Sequence, residues 1–411
     1  MTMKNWKEFC LNVWKWFVRK PKLVAVQKQP VEKVSKGYSP ERMKRYLNDR
    51  YDFRYNVLSE VNEFRPKGEG QSAFKLLGKR ELNALCLEIQ SAGIPCWDRD
   101  VARYIHSTLV EDYHPFTLYI QELPEWDGQD RLADLAQRVS KEAYWVKHFR
   151  RWMLAVMAQW MGKNTTFANC VAPLLVSTEQ GRCKSTFCSI LLPEELQKFY
   201  IDKFDITSVS GCEQKLSLFG LINMDEFDRY GIRTMATLKN LMQLKKLTFR
   251  KSHRSYYSQL PRIASFIGTS NQKELLTDTT GSRRFLCVEV REKIDCSGID
   301  HTQLYAQLKA ELLNGERYWF TSEEEKEIQA NNRAFYKQSP VQEIFHKCFR
   351  LPADEKEGRL MTAAEIFCRL QKKFPAALRT SNASQMGKTL QALGVQRTHT
   401  RQGNAYLVVP V

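Results

Sequence analysis

The middle of the chain is marked by four apolar runs: Val171-Ala-Pro-Leu-Leu-Val-Ser177, Leu218-Phe-Gly-Leu-Ile-Asn-Met-Asp225, Arg262-Ile-Ala-Ser-Phe-Ile-Gly-Thr269 and Phe285-Leu-Cys-Val-Glu-Val290. They are continuous rather than alternating, as strands buried on both faces of a parallel sheet are. The stretch Thr186 to Leu192 after the first run is compatible with a helix, so the segment predicts an α/β unit whose strand ends are ligand-binding positions. Upstream, residues 40–160 read as mostly helical. A helix opens at Ser39-Pro40-Glu41 and runs through Leu47, a second covers Lys79 to Ile89, and a long one covers Lys141 to Trp160. The apolar run Trp152–Met161 is about half as long as a bilayer span requires and reads as a buried helix. Downstream, an acidic helix over Ser322–Ala330 precedes three helical stretches, Val341–Phe349, Thr362–Phe374 and Ala383–Leu393. The last segment, Val395–Val409, carries Gly403-Asn404 between β-prone flanks, a hairpin signal. Three helices and a hairpin predict a winged-helix-like tail. The organisation expected is a basic leader over 1–36, a helical N-terminal domain over 37–163, the α/β unit over 164–330 and the tail over 335–411.

Charge changes this picture most. The chain of 411 residues has 63 Lys and Arg against 46 Asp and Glu, a net +17, which favours polyanionic partners. The leader is basic and spaces Trp6, Phe9, Val13 and Phe17 on one helical face; contact with DNA, a membrane surface or a partner, and a solvated tail, all fit it. The 11 cysteines are scattered without a CxxC pair, which argues against a zinc ribbon or disulfide framework and for a reducing cytoplasm.

The first apolar run ends in Ser177-Thr-Glu-Gln-Gly-Arg-Cys-Lys-Ser-Thr186, a loop that opens a helix. In that context backbone amides and a helix N-terminus hold a polyphosphate. Gln180, Gly181, Arg182, Cys183, Lys184, Ser185 and Thr186 are the candidate ATP ligands. Lys184 is placed to reach the β/γ phosphates and Ser185 to ligate Mg2+. Thr178 and Cys183 stand where the Gly-x-x-x-x-Gly-Lys-Ser/Thr pattern has glycines, and a Cβ beside Lys184 should crowd the backbone's approach to phosphate. The second run ends in Asp225 and Glu226, suited to the Mg2+ shell and to polarising the attacking water, although acids at a strand end also cap helices. The third ends near Asn271, whose amide can meet the γ-phosphate or the water. Arg283 and Arg284 follow with no carboxylate immediately beside them, so an unpaired guanidinium is expected for transition-state charge; a salt bridge to Asp278 is the other reading. Between the acids and Asn271, Lys245, Lys246, Arg250, Lys251, His253 and Arg254 interleave with Phe249, Tyr256 and Tyr257, a composition that suits single-stranded nucleic acid or a solvated basic face. In the tail, Lys388, Arg397, His399 and Arg401 are the candidate duplex contacts.

The chain resembles the virulence-associated protein E family, P-loop ATPases related to superfamily 3 helicases and associated with mobile elements. The resemblance spans about 100–330. It rests on Leu123-Pro-Glu-Trp-Asp-Gly-Gln-Asp-Arg-Leu132, Gln180-Gly181 with Lys184-Ser185-Thr186, Asp225-Glu226, Arg250, Pro261-Arg262, Gly268-Thr-Ser-Asn271 and Asp278-Thr-Thr-Gly-Ser-Arg-Arg-Phe285. The tail from about 332 looks like a small domain found behind this ATPase in Bacteroides-type proteins. The resemblance implies an AAA+ fold, a homo-oligomeric, hexameric ring, ATP hydrolysis with Mg2+, and DNA unwinding or replication initiation on a mobile element, alongside replication proteins. Two other readings stand beside it: a non-enzymatic DNA-binding protein with a decayed phosphate loop, and an ATP-dependent regulatory switch.

Overall fold

The computed structural model describes residues 39–68, 73–163, 166–206, 209–249, 257–276, 281–337, 340–352, 357–376, 378–379, 382–400 and 403–411. The basic leader lies outside them. The chain forms two compact units, one running to residue 273 and again over 278–333, the other over 274–277 and 334–411. Among the described residues no helix is long and apolar enough to cross a membrane, and the cysteines are free thiols.

The first unit opens with helix α1 (Pro40–Arg50), strands β1 (Tyr51–Asn56), β2 (Val61–Pro66) and β3 (Lys75–Leu76), helices α2 (Lys79–Ser91) and α3 (Asp98–Ile105), and strand β4 (Glu111–Tyr113). The region expected to be mostly helical therefore holds a four-stranded sheet in the order β3-β2-β1-β4. Its strands hide their pattern because one face is charged. Phe53 lies opposite Phe64 across the β1–β2 pair, with their rings and that of Tyr51 packed together. On alternate positions Arg65 pairs with Asp52 at 2.9 Å and Arg54 with Glu63 at 2.7 Å.

Helices α4 (Pro115–Glu122), α5 (Arg131–Gln137) and α6 (Ala143–Trp160) follow. Helix α6 is lined by Trp145, Trp152 and Trp160, all fully buried, and they share one core with Leu175 of the central sheet. Truncating any of these rings to Ala removes about 3–5 kcal/mol. The Trp-Asp-Gly block proves to be a joint between helices. Asp130 caps α5 by accepting from Ala133 N at 3.1 Å, and also accepts from Arg150 of α6 at 2.8 Å and from Gln307 at 2.7 Å.

The central sheet comprises β5 (Ala172–Val176), β6 (Tyr200–Ile201), β7 (Leu221–Met224), β10 (Ser265–Ser270) and β11 (Phe285–Glu289), in the order β11-β5-β10-β7-β6. Every pairing is parallel. Helices α7 (Lys184–Ile190), α8 (Val209–Leu218) and α9 (Ile232–Leu241) connect the strands, and β8 (Lys246–Phe249) and β9 (Ser258–Pro261) form an antiparallel hairpin before β10. Gly268 lets β10 fit between its neighbours, because a Cβ there would stand 2.7 Å from Leu174 and 3.0 Å from the Met224 carbonyl. From β5 the chain travels to the far edge, returns through β7 and β10, and crosses β5 to reach β11. The carboxyl end of β5 is thus a switch point, where a crevice opens. Helices α10 (His301–Leu313) and α11 (Ser322–Asn331) complete this unit.

The second unit contains α12 (Pro340–Cys348), β12 (Phe349–Arg350), β13 (Arg359–Thr362), α13 (Ala363–Lys373), α14 (Ala383–Ala392), β14 (Arg397–Thr400) and β15 (Gly403–Pro410). Strand β15 lies between β13 and β14, antiparallel to both. Phe345, Ile366, Leu370, Met386, Leu390, Tyr406 and Val408 form its core. Gly403 and Asn404, expected at the hairpin turn, instead lie in β15, where they pair with Thr400 and His399.

Candidate nucleotide site

The loop between β5 and α7 is built from local turns. Ser177 Oγ accepts from Glu179 N at 3.2 Å, Arg182 pairs with Glu179, and the Arg182 carbonyl accepts from Ile294 N at 3.2 Å. Gly181 takes φ +76°, and Cys183 takes φ 59°, ψ 26°, in the left-handed region. Cys183 therefore holds a glycine conformation with a Cβ, at a cost of about 1 kcal/mol. Gln180, Gly181, Ser185 and Thr186 are exposed, as a loop that receives a ligand requires.

Lys184 is the exception. It is 8% exposed, and its ammonium donates to Asn271 Oδ1 at 2.9 Å and to the Ser177 carbonyl at 3.4 Å. Both acceptors are neutral. Desolvation holds its pKa below the usual lysine value, opposed by the Asp225 charge. Ser185 Oγ donates to Asp225 Oδ1 at 2.9 Å, and Thr269 Oγ1 donates to the same oxygen. Ser270 Oγ donates to Asp228 Oδ1 at 2.8 Å. The ends of β5, β7 and β10 thus carry two adjoining hydrogen-bonded sets, Lys184 with Asn271 and Ser185 with Asp225 and Thr269, with the Asp225 charge acting on Lys184.

A nearly buried ammonium whose hydrogen-bond acceptors among the described residues are both neutral fits a phosphate. The Ser185–Asp225 pair supplies one hydroxyl and one carboxylate. That donor set fits Mg2+, which takes few protein ligands and fills its octahedron with phosphate oxygens and water.

Other expected residues sit differently. Glu226 has φ 51° and its carboxylate pairs with Arg229, turned along the chain. The expectation of an unpaired guanidinium fails for Arg283, which donates to Glu325 of α11 at 2.8 Å. The turn that presents it is pinned by Asn332 Nδ2, which donates to the carbonyls of Ser282 and Phe285, each at 2.8 Å. Arg284 is half-buried and makes no ion pair among the described residues; Asp278 lies outside them. Thr269 and Asp228, which join the Asp225 group and its neighbour, were not singled out from the sequence. Their signals are the polar pair closing the third apolar run and a third acid just after Asp225-Glu226.

Lys245 and Lys246 are exposed at the start of the β8–β9 hairpin and Tyr257 at its return, whereas Arg250, Lys251, His253, Arg254 and Tyr256 lie outside the described residues. Arg262 sits at the hairpin's base, fully buried. Its guanidinium donates to the carbonyls of Leu241, Leu244, Ala264 and Asn169 at 3.3, 3.2, 2.9 and 2.5 Å, and to that of Met242. Burial pushes its pKa down to about 10. In the second unit Lys388 and Arg397 are exposed, and Arg401 lies outside the described residues.

The family model described as the virulence-associated protein E-like domain matches residues 120–337. A second, described as a domain of unknown function from B. theta, matches residues 338–408. Among solved structures the chain is similar to the apo structure of the NrS-1 C-terminal region, at 12% identity and a TM-score of 0.43 over 90% of this chain and 99% of that one. An A-form apo structure of the same region matches at 12% identity and a TM-score of 0.40, over 90% of this chain and 98% of that one. No curated protein matches.

Proposed function

The chain belongs to the virulence-associated protein E-like family, and from that premise we propose that it is a P-loop ATPase of the AAA+ type, a DNA helicase or replication initiator of a bacterial mobile element. The observation that carries the proposal is the Lys184 ammonium, nearly buried and bonded, among the described residues, to Asn271 and the Ser177 carbonyl alone. The β5 switch point supports it, because the loop that holds Lys184 opens there.

In this reading Lys184 neutralises the β/γ phosphates of ATP, and the loop amides around Gly181 cradle them. Ser185 and Asp225 would hold Mg2+, which when bound spreads the charge of the phosphate oxygens. Glu226, released from Arg229, takes the proton of the attacking water, and Asn271 orients that water. Arg284, and Arg283 once parted from Glu325, complete a neighbouring subunit's site in a ring. The segment Lys245–Tyr257 grips single strands, and the winged-helix-like tail, from residue 335, holds duplex DNA.

The test is ATPase rate with and without single-stranded DNA. Lys184→Ala should lose ATP binding, and Glu226→Gln should keep binding but hydrolyse slowly. Equal loss of binding in both variants would sink the role assignment. One observation favours a second reading: Cys183 in a glycine conformation suits a loop that holds nucleotide with little turnover. A wild-type rate no higher than that of Glu226→Gln would select it.

A further inference from the structure

We propose that the C-terminal unit reads duplex DNA by base sequence, with the exposed stripe of α14 as its reading surface. The proposal rests on the chain acting on DNA, but not on its hydrolysing ATP.

Helices α13 and α14 pack against each other beside the sheet of β13, β15 and β14. One side of α14 is closed: Met386 and Leu390 are buried in the core, and Tyr406 Oη donates to the Gly387 carbonyl at 3.3 Å. The other side presents Ser384, Lys388 and Gln391 at i, i+4 and i+7, with Gln385 alongside, all exposed. This stripe is about 10 Å long at 1.5 Å per residue, so it spans roughly three base steps.

The surroundings favour a polyanion. From Arg359 to the end of the chain there are eight Lys and Arg and a single acid, Glu365. That carboxylate is committed to its own helix start, accepting from Thr362 N at 2.7 Å and Thr362 Oγ1 at 3.1 Å. Arg369, Lys372 and Lys373 of α13 and Arg397 and His399 of β14 are exposed.

Charge and neutral polarity are divided between elements. Four of the eight cations lie on α13 and β14, where they suit phosphates, which position a protein without specifying sequence. The α14 stripe has one cation among a hydroxyl and two amides, and these are the groups that match base edges in the major groove. Lysine matches guanine O6 and N7, glutamine matches adenine N6 and N7, and serine serves either. Gln385 Oε1 accepts from Asn382 N at 3.1 Å, which leaves only its amide N–H groups. Gln391 has its whole amide to offer among the described residues. The stripe therefore fits a short site with guanine and adenine on one strand.

The experiment selects duplexes from a random library with the full chain, without ATP and near 0.15 M salt. A motif of about three base pairs containing G and A is expected. Lys388→Ala should lower affinity for the selected duplex roughly tenfold and relax the G position. Gln391→Ala should relax a different position. Arg369→Ala with Lys373→Ala should instead weaken every duplex alike and reduce the salt slope by about one per lost phosphate contact. Duplex binding without a recovered motif would overturn base reading while leaving DNA action intact. No duplex binding at low salt would assign this face to a protein partner and overturn the proposal. ATPase rates of the same preparations report separately on the nucleotide site.

Discussion

Two buried cations serve the central sheet in opposite ways. Arg262, just before β10, is fully buried and satisfied by five carbonyls drawn from the end of α9, the hairpin base and the approach to β5. Lys184, at the carboxyl end of β5, is nearly as buried but has two neutral acceptors for three N–H groups. A planar guanidinium whose three nitrogens all donate to fixed carbonyls ties those segments together, so it holds the fold. A lysine ammonium short of acceptors retains capacity for an anion. Burial alone does not mark a functional cation; five carbonyl acceptors against two separate Arg262 from Lys184.

The comparison breaks most visibly through Arg262→Met. Five carbonyls lose a donor, and stranded buried acceptors cost about 1 kcal/mol or more each. A loss of about 3–5 kcal/mol is expected in urea unfolding followed by tryptophan fluorescence, which reports on the buried rings of α6. Stability within about 1 kcal/mol of wild type would show that water replaces the clamp.

Lys184→Met should give the reverse pattern. Nucleotide affinity should fall about a hundredfold, roughly 2.7 kcal/mol. Stability without nucleotide should hold or rise, because a buried charge bonded to neutral acceptors and only partly offset by Asp225 has gone. Titration of a fluorescent ATP analogue and the same urea series would measure both. A stability loss like that of Arg262→Met would make Lys184 structural and dissolve the contrast.

Cys183→Gly sharpens the comparison by a smaller step. Removing the Cβ relieves about 1 kcal/mol of left-handed strain, partly offset by the freedom glycine gains in the unfolded chain. Nucleotide should bind about threefold tighter, roughly 0.6 kcal/mol. Weaker binding would mean that the loop has adapted to the thiol.

Legibility in the sequence followed the same division between local and distant partners. The four main strands of the central sheet could be read because strands buried on both faces are continuous apolar runs. Strand β6 has two residues and no such signal. Strands β1 and β2 were missed because Asp52, Arg54, Glu63 and Arg65 break up their aromatic positions, and the charges make sense only once paired across strands. In the site, Lys184, Ser185, Asp225 and Asn271 stood at strand or helix ends and could be named. The Glu325 that engages Arg283 lies 42 residues away, so no local inspection would find it. Nor did the sequence show that Cys183 holds a glycine conformation.

The smallest expected effect concerns pH. Desolvation lowers the Lys184 pKa in the folded chain below its unfolded value of about 10.4. Between those two values the unfolded state binds more protons than the folded state, so stability contributed by this site rises with pH. Below the folded pKa, Lys184 is charged in both states and its burial penalty is fully present. As pH rises towards 10.4 the folded ammonium deprotonates first and the penalty fades. Other lysines, tyrosines and cysteines titrate in the same range, so the quantity to measure is the difference between wild type and Lys184→Met. The advantage of Lys184→Met in thermal midpoint should be largest near neutral pH and should shrink through the alkaline range. Saturating nucleotide should abolish that trend, because a phosphate beside the ammonium favours its charged form and removes the cause of the depressed pKa. A difference that stays constant with pH would mean that Asn271, Ser177 and the Asp225 charge already compensate the ammonium, and the site would then have no unmet charge to offer an anion.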